Sequence, residues 1–372
     1  MRAVANDVAR HHATAVDREA RFPVETFAAL REARLLSLLV PAALGGGGGN
    51  LSDAADCAAL LARACGSSAL AFAMHQGQVA CVARHEHSAA GKALLRMISQ
   101  GELLVASSTT ERATGGDTAV SSCAVEKDGD RFRLRKNAPV ISYGEQADII
   151  LVTARRGPAA DSSDQVLVAC TKDDVTLVPS GTWDTVGFRG TCSLGYELEA
   201  SGPLEHVLQT PFAHMNAQTM LPFSHVLWAS VWLGLSEEAL DLARAHVQAA
   251  ARTAPGELPM GAMRLADATT RFLAFRAQAR QATIDLDVPP TDDGTVPMAR
   301  TITGNCLKMS AASHAVAVIE EARIICGLRG YRRDGGLALE RLVRDAQGAS
   351  VMISDDRLRT AVATMLLVAK SV

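Results

Sequence analysis

The chain has 372 residues, with 37 basic against 40 acidic side chains for a formal net charge of −3. At roughly 150 residues per domain this length predicts two to three domains with substantial cores, and so balanced a charge offers no field to gather nucleic acid or anionic lipid. Eight cysteines occur without any Cys-x-x-Cys spacing, which argues against zinc and dithiol motifs and leaves buried thiols.

Near the start, Pro41 is followed by the glycine run Gly45 to Gly49. No Lys-Ser or Lys-Thr follows it and no strand clearly precedes it, so a strained connector is expected rather than a phosphate loop. Ala54, Ala58, Leu61 and Cys65 then recur at steps of three or four, the period of a half-buried helix. Beyond residue 102 the pattern changes to short apolar or alternating runs: Leu104-Val105-Ala106, Cys123-Ala124-Val125, Phe132-Arg133-Leu134, Ile149-Ile150-Leu151-Val152 and Val166-Leu167-Val168. Gly, Asp and Ser separate these runs, and Lys127-Asp128-Gly129-Asp130 carries the Asp-Gly signal of a hairpin. Val288 to Pro297, rich in Pro, Asp and Gly, predicts an exposed connection between helices. The helical period returns in Leu307, Ala311, Ala315, Val318, Ala322 and Ile325, and Ser354 before Asp355 and Asp356 suits the cap and first turn of a last helix.

The order predicts an α+β chain: an N-terminal helical domain over 1–102, a middle antiparallel β-barrel or sandwich over 103–212, and a C-terminal helical domain over 213–372. With no run of about 18 apolar residues and no basic, hydrophobic leader, a soluble cytoplasmic protein without a membrane partner is expected. His11, His12, His85 and His87 lack ordered carboxylate or Cys partners, so no metal site is expected.

Five segments resemble one family in order. They are Pro41 through Gln76, "PAALGGGGGNLSDAADCAALLARACGSSALAFAMHQ"; Thr110 to Asp117, "TERATGGD"; Ala138 to Gly144, "APVISYG"; Gly187 to Ser193, "GFRGTCS"; and Gly327 to Ala346, "GLRGYRRDGGLALERLVRDA". The last four stand where the acyl-CoA dehydrogenase superfamily has "TEPGAGSD", "KxWITNG", "GxRgsxt" and "GGYGYxxxxPVERxxRDA". The resemblance implies that the C-terminal helices form a four-helix bundle and that the chain assembles as a homotetramer or dimer. FAD would lie between the β-domain, the bundle and a neighbouring subunit. The implied chemistry is α,β-desaturation of an acyl-CoA or similar thioester: a carboxylate takes the α-proton, the β-hydrogen leaves as hydride to the flavin, and an electron-transfer flavoprotein takes the electrons.

The departures from that pattern bear on the chemistry. Counting from Arg344-Asp345-Ala346, the family's catalytic Glu falls on Ile353, and the alternative base position falls on Ser224. An unactivated hydroxyl is a poor base; a register shift would bring Asp355 or Asp356 to the place instead. On the adenine side Arg252 can be matched, but Pro255, Met263, Ile324 and Leu328 replace the family's Phe, two Gln and a Gly. The ring side is better kept, and the implied cofactor-binding set is Ser108, Thr110, Gly116, Val140, Ile141, Ser142, Arg252 and Gly327. Gly116, where the family has Ser, removes a contact to the acyl-CoA or flavin.

His225, His75 and Ser224 are the catalytic candidates, since histidine titrates near neutrality and can act as acid or base; Ser224, His225 and Arg189 are the candidates for substrate binding. Blander readings stand beside them. His75 can be a packed interface histidine, Ser142 can cap its own turn, Arg189 can pair with Asp184, and Trp228 with Trp232 can face the core. The expected activity is an FAD-dependent oxidoreductase of acyl-CoA dehydrogenase type. The alternative is a two-component monooxygenase on the same fold, using FMN or another reduced flavin from a reductase. A non-catalytic subunit is the reading from a different class.

Overall fold

A computed structural model describes residues 1–115 and 117–370. The first helices are α1 (Arg10–Arg18), α2 (Val24–Glu32), α3 (Leu51–Ala62), α4 (Gly66–His85) and α5 (Ala89–Gly101), with a π-helical turn over Val4–Ala9 leading into α1. A capping box starts α3: the Asn50 side chain accepts from the Asp53 amide at 3.0 Å, and the Asp53 carboxylate accepts from the Asn50 amide at 2.9 Å. Ala54, Ala58 and Leu61 of the expected stripe are buried, while Cys65 sits one step beyond as the cap residue of α4. The five glycines form a connector. Gly45 and Gly48 take φ of +88° and +63°, which a side chain would resist, and the amides of Gly47 and Gly49 return to the carbonyls of Ser37 and Leu38.

Seven strands follow: β1 (Val105–Ser108), β2 (Glu126–Asp128), β3 (Arg131–Ile141), β4 (Ile149–Arg155), β5 (Gln165–Thr171), β6 (Val175–Pro179) and β7 (Leu194–Pro203). They make two sheets, ordered β1-β4-β5 and β2-β3-β7-β6, antiparallel except for the parallel pairing of β1 with β4. The Asp-Gly hairpin is present, with Asp128 opposite Arg131 and Gly129 at φ +62°. Cys123-Ala124-Val125 differs from expectation: it makes one isolated bridge, Ala124 to Arg155, and the ladder begins only at Glu126.

The C-terminal part holds α6 (Phe212–Met215), α7 (Leu221–Thr253), α8 (Ala262–Leu286), α9 (Met298–Cys326), α10 (Leu328–Tyr331), α11 (Leu339–Gln347) and α12 (Asp355–Leu366). The three long helices pack on one another, and α11 and α12 lie against α9. The stripe Leu307 to Ile325 on α9 is buried throughout, and the segment Val288 to Pro297 connects α8 to α9. Ser354 does precede α12, yet its side chain makes no capping bond, and the first-turn acid Asp355 turns inward to Lys308.

Two family-like motifs close the parts together. Arg344 on α11 grips the Asp17 carboxylate of α1 with two bonds of 2.8 and 2.6 Å, and Asp345 accepts from the Phe188 amide at 2.6 Å. Gly187 lies so close to the Arg344 carbonyl that any Cβ would overlap it. Burial pushes the Asp345 carboxyl up to about 6, with Arg341 and the Phe188 amide opposing.

Candidate active site

The site is built where the end of β3 meets β1 of the other sheet. Tyr143 follows β3 at φ +44°; its amide donates to the Thr191 carbonyl at 2.8 Å and its hydroxyl to the Val105 carbonyl at 3.2 Å, which ties the turn to β1. Val140 and Ser142 are two residues apart at this edge, Val140 exposed and Ser142 half-buried, while Ile141 between them is buried. Thr110 is also half-buried, and the Ser108 hydroxyl is buried with no partner. Beneath them Lys136 pairs with Glu111 at 3.3 Å and donates to the Thr153 carbonyl and hydroxyl at 2.7 Å. Burial works to raise the Glu111 pKa, but the Ser121 and Ser122 hydroxyls and Lys136 outweigh it and hold the carboxyl below its ordinary value. This pair is scaffold.

His75 lies in the middle of α4 with both ring nitrogens in use. One meets the Leu36 carbonyl at 2.7 Å and the other accepts from the Val105 amide at 2.9 Å. That tautomer is neutral, and burial pushes the pKa down to about 4. The ring is a clip between the segment after α2 and β1, with no nitrogen left for a substrate.

The two positions matched to a catalytic carboxylate are both without one. Ile353 sits at φ +53°, uncommon for a β-branched residue, and its carbonyl accepts from Lys308 at 2.6 Å. Lys308 is fully buried on α9 and also donates to Asp355 at 2.6 Å, so Asp355 is consumed in an ion pair; Asp356 pairs with Arg359 at the surface. Burial lowers the Lys308 pKa, with Asp355 opposing. Ser224, on α7, faces Gly77 of α4. His225 beside it is buried, with Nε2 unpartnered, and lines a small cleft with Arg300, Thr301, Gly304 and Asn305, whose Oδ1 is likewise unpartnered. Burial pushes the His225 pKa down to about 3, helped by Lys308.

The remaining expected residues are scattered. Arg189 spends its guanidinium on Asp184 at 3.0 Å, on the Thr185 carbonyl and on the Asp17 carbonyl, which is the bland reading of this side chain. Arg252 is exposed in the last turn of α7, and Gly327 joins α9 to α10 at φ +57°. Gly116 lies outside the described residues. Trp232 is buried in the core, as expected, with Lys308 over its ring. Sequence reasoning passed over Ser193, Asn305 and Lys308. A lone lysine next to the apolar stripe of α9 was a signal that it must have a buried acid partner.

Comparisons with known proteins give the frame. The N-terminal domain model of acyl-CoA dehydrogenases matches residues 1–102 and the C-terminal domain model residues 215–353. The chain belongs to the acyl-CoA dehydrogenase superfamily. It is 27% identical over 339 residues to cyclohex-1-ene-1-carbonyl-CoA dehydrogenase of Geobacter metallireducens, covering 89% of this chain and 86% of that protein. Among solved structures, FMN-bound TdsC from Paenibacillus sp. A11-2 superposes with a TM-score of 0.85 at 19% identity, covering 98% of this chain and 96% of that one. Butyryl-CoA dehydrogenase from Megasphaera elsdenii gives a TM-score of 0.82 at 20% identity, covering 98% and 97%. The two structural likenesses speak to fold.

Flavin is the cofactor of this family, and the β1–β3 edge fits its ring. The hydroxyl of Ser142 accepts from Ser193 at 2.8 Å, so its own proton is free, and the Ser108 hydroxyl lacks any partner; both can donate to ring oxygens and nitrogens. Among the described residues no helix is long and apolar enough to cross a membrane, and no cluster of His, Cys, Asp and Glu could hold a metal.

Proposed function

We propose that this flavin-dependent oxidoreductase catalyses reduced-flavin monooxygenation. The observation that carries the reading is the Lys308 clamp. Lys308 holds the Ile353 carbonyl and the Asp355 carboxylate together where desaturation needs a free base. No other group near that place takes over: Ser224 is an unactivated hydroxyl, His75 has no free nitrogen, and His225, pushed down to about 3, accepts a proton poorly near neutral pH. Monooxygenation needs no α-proton acceptor. Reduced flavin supplies two electrons, so that one atom of dioxygen enters the substrate and the other leaves as water.

The chain's own residues then have modest tasks. Ser142, with Ser108 and Thr110, donates hydrogen bonds to the ring; His225 and Asn305 orient a polar group of the substrate; Val140 covers the ring with apolar surface. On the adenine side the matched positions are apolar and open, Met263 at 69%, Ile324 at 41% and Leu328 at 76% exposure. That favours FMN over FAD. A flavin reductase is the electron partner, and a homo-oligomer is the assembly. The division at 102/103 and 212/213 is kept as the domain plan.

The second reading is desaturation of an acyl-CoA, favoured by the relative that is 27% identical along most of both chains and is named a dehydrogenase. Two measurements separate them. Under monooxygenation, mixing the protein and reduced FMN with air gives a transient absorbance distinct from that of both reduced and oxidised FMN, which free FMN does not show. Under desaturation, oxidised flavin on the protein is bleached anaerobically by cyclohex-1-ene-1-carbonyl-CoA or butyryl-CoA; that result sinks the monooxygenase.

A further inference from the structure

Behind the β3 edge three hydroxyls stand in line. Thr191 and Ser193 are buried, Ser142 is half-buried, and the Thr191–Ser193 and Ser193–Ser142 separations are both 2.8 Å. A hydroxyl has one proton to give, so the direction of each bond can be worked out. Between Ser193 and Ser142 the geometry lets only Ser193 donate. Between Thr191 and Ser193 either atom can donate. The Thr191 hydroxyl also donates to the Phe188 carbonyl at 3.0 Å, an oxygen that takes the Thr191 amide at 3.0 Å and the Trp183 indole at 3.3 Å as well. Thr191 therefore shares its one proton between that carbonyl and Ser193, and the proton of Ser193 is directed to Ser142. The far end of the line is rigid, because the Phe188 amide is held at 2.6 Å by Asp345, deep against α11.

We propose that Ser193, backed by Thr191, is a positioning residue that fills the acceptor side of the Ser142 hydroxyl and so forces its proton outward, toward an acceptor atom of a ligand at the β1–β3 edge. This rests on the reading that the ligand there is a flavin ring. The line makes Ser142 a directed donor instead of a free rotor, which lowers the entropy lost when the ligand binds. Ser193 itself never touches the ligand.

The test uses the full chain and FMN as the probe, with S142A, S193A, S193T and the S142A/S193A double variant. FMN affinity is read by fluorescence quenching, together with the visible absorption bands and the midpoint potential of the bound flavin. A neutral hydrogen bond lost at this edge predicts a 5- to 10-fold weaker FMN affinity, about the scale of one such bond, for S142A and S193A alike. The bands and potential shift in the same direction in both. S193T keeps the donor and restores wild-type values, and the double variant is no weaker than S142A alone, since the two residues act through one proton. S193C, similar in shape but a weak donor, falls between and carries the test should S193A fail to fold. Wild-type affinity and spectrum in S193A, or additive losses in the double variant, overturn the proposal while leaving the flavin reading intact. If the wild-type chain takes up no FMN or FAD at all, both fall.

Discussion

Around α11 the carboxylates of Asp17 and Asp345 and the amide of Phe188 are all partnered, by Arg344 and by one another, whereas at the β1–β3 edge and in the α7–α9 cleft Ser108 Oγ, His225 Nε2 and Asn305 Oδ1 are buried with nothing to meet. Both regions carry family-like motifs, so the motifs alone do not separate them. What separates them is the kind of group left over: Arg341 Nε and Arg344 Nε on α11 are also unpartnered, but each belongs to a guanidinium already engaged with the Ala64 carbonyl or Asp17, whereas the Ser108 hydroxyl makes no bond at all. A buried polar group left unpaired costs about 1–3 kcal/mol, which is tolerable where a ligand completes the bond and wasteful elsewhere. The first region is built as scaffold; the second has the bonds to offer that the proposed ligand site needs.

The largest effect should come from breaking a satisfied pair. K308A strands Asp355 and frees the Ile353 carbonyl, and a loss of about 3–5 kcal/mol is expected by chemical denaturation. A K308M/D355L double variant should recover most of it, because an apolar pair of similar volume suits the same site. A K308A protein as stable as wild type would show that this clamp is ornamental.

Next in size is the response to acid. The folded pKa of His75 lies near 4 against 6.5 for the ordinary side chain, so the unfolded chain binds the proton first as pH falls. Stability is therefore full above about 6.5 and declines down to about 4, by on the order of 3 kcal/mol for this ring, since each pH unit between the folded and unfolded pKa is worth about 1.4 kcal/mol. H75Q should flatten part of that decline in urea midpoints measured between those two values. Asp345 acts in the opposite direction. Its folded pKa of about 6 stands above the ordinary 3.8, so it contributes stability that is lost as pH rises from about 4 to 6. D345N should remove that slope while keeping an oxygen for the Phe188 amide.

Smaller still, and the sharpest test of the contrast, is H225L. Replacing a buried ring that has one bare nitrogen and one backbone bond to Gly304 by an apolar side chain should cost no more than a single hydrogen bond, about 1 kcal/mol, yet turnover should fall about tenfold or more as substrate orientation is lost. The least effect is expected for R189Q. Its ion pair with Asp184 is partly exposed, so a change within about 1 kcal/mol and no change in substrate or FMN affinity should be seen.

Much of the architecture was legible in the order of residues. Periods of three to four placed α3 and α9, and Asp128-Gly129 placed the β2–β3 hairpin, because these signals are local: each depends on how a few neighbouring residues divide between core and water. The family motifs were legible for the same reason, as short strings with fixed spacing. The absence of a carboxylate at Ile353 and Ser224 could also be read by counting.

Partnership was decided by the tertiary structure. His75 and His225 carry the same ring in similarly apolar helices, but only the fold brings the Leu36 carbonyl and the Val105 amide to the first and leaves Nε2 of the second bare. The Lys308–Asp355 pair spans α9 and α12, and the line Thr191–Ser193–Ser142 joins the start of β7 to the end of β3. Hydrogen bonds are short and directional, so whether a side chain is scaffold or site depends on which distant segment arrives within about 3 Å of it. Composition and periodicity fix which residues go inside; the packing of those segments fixes which of them are left with a bond to offer.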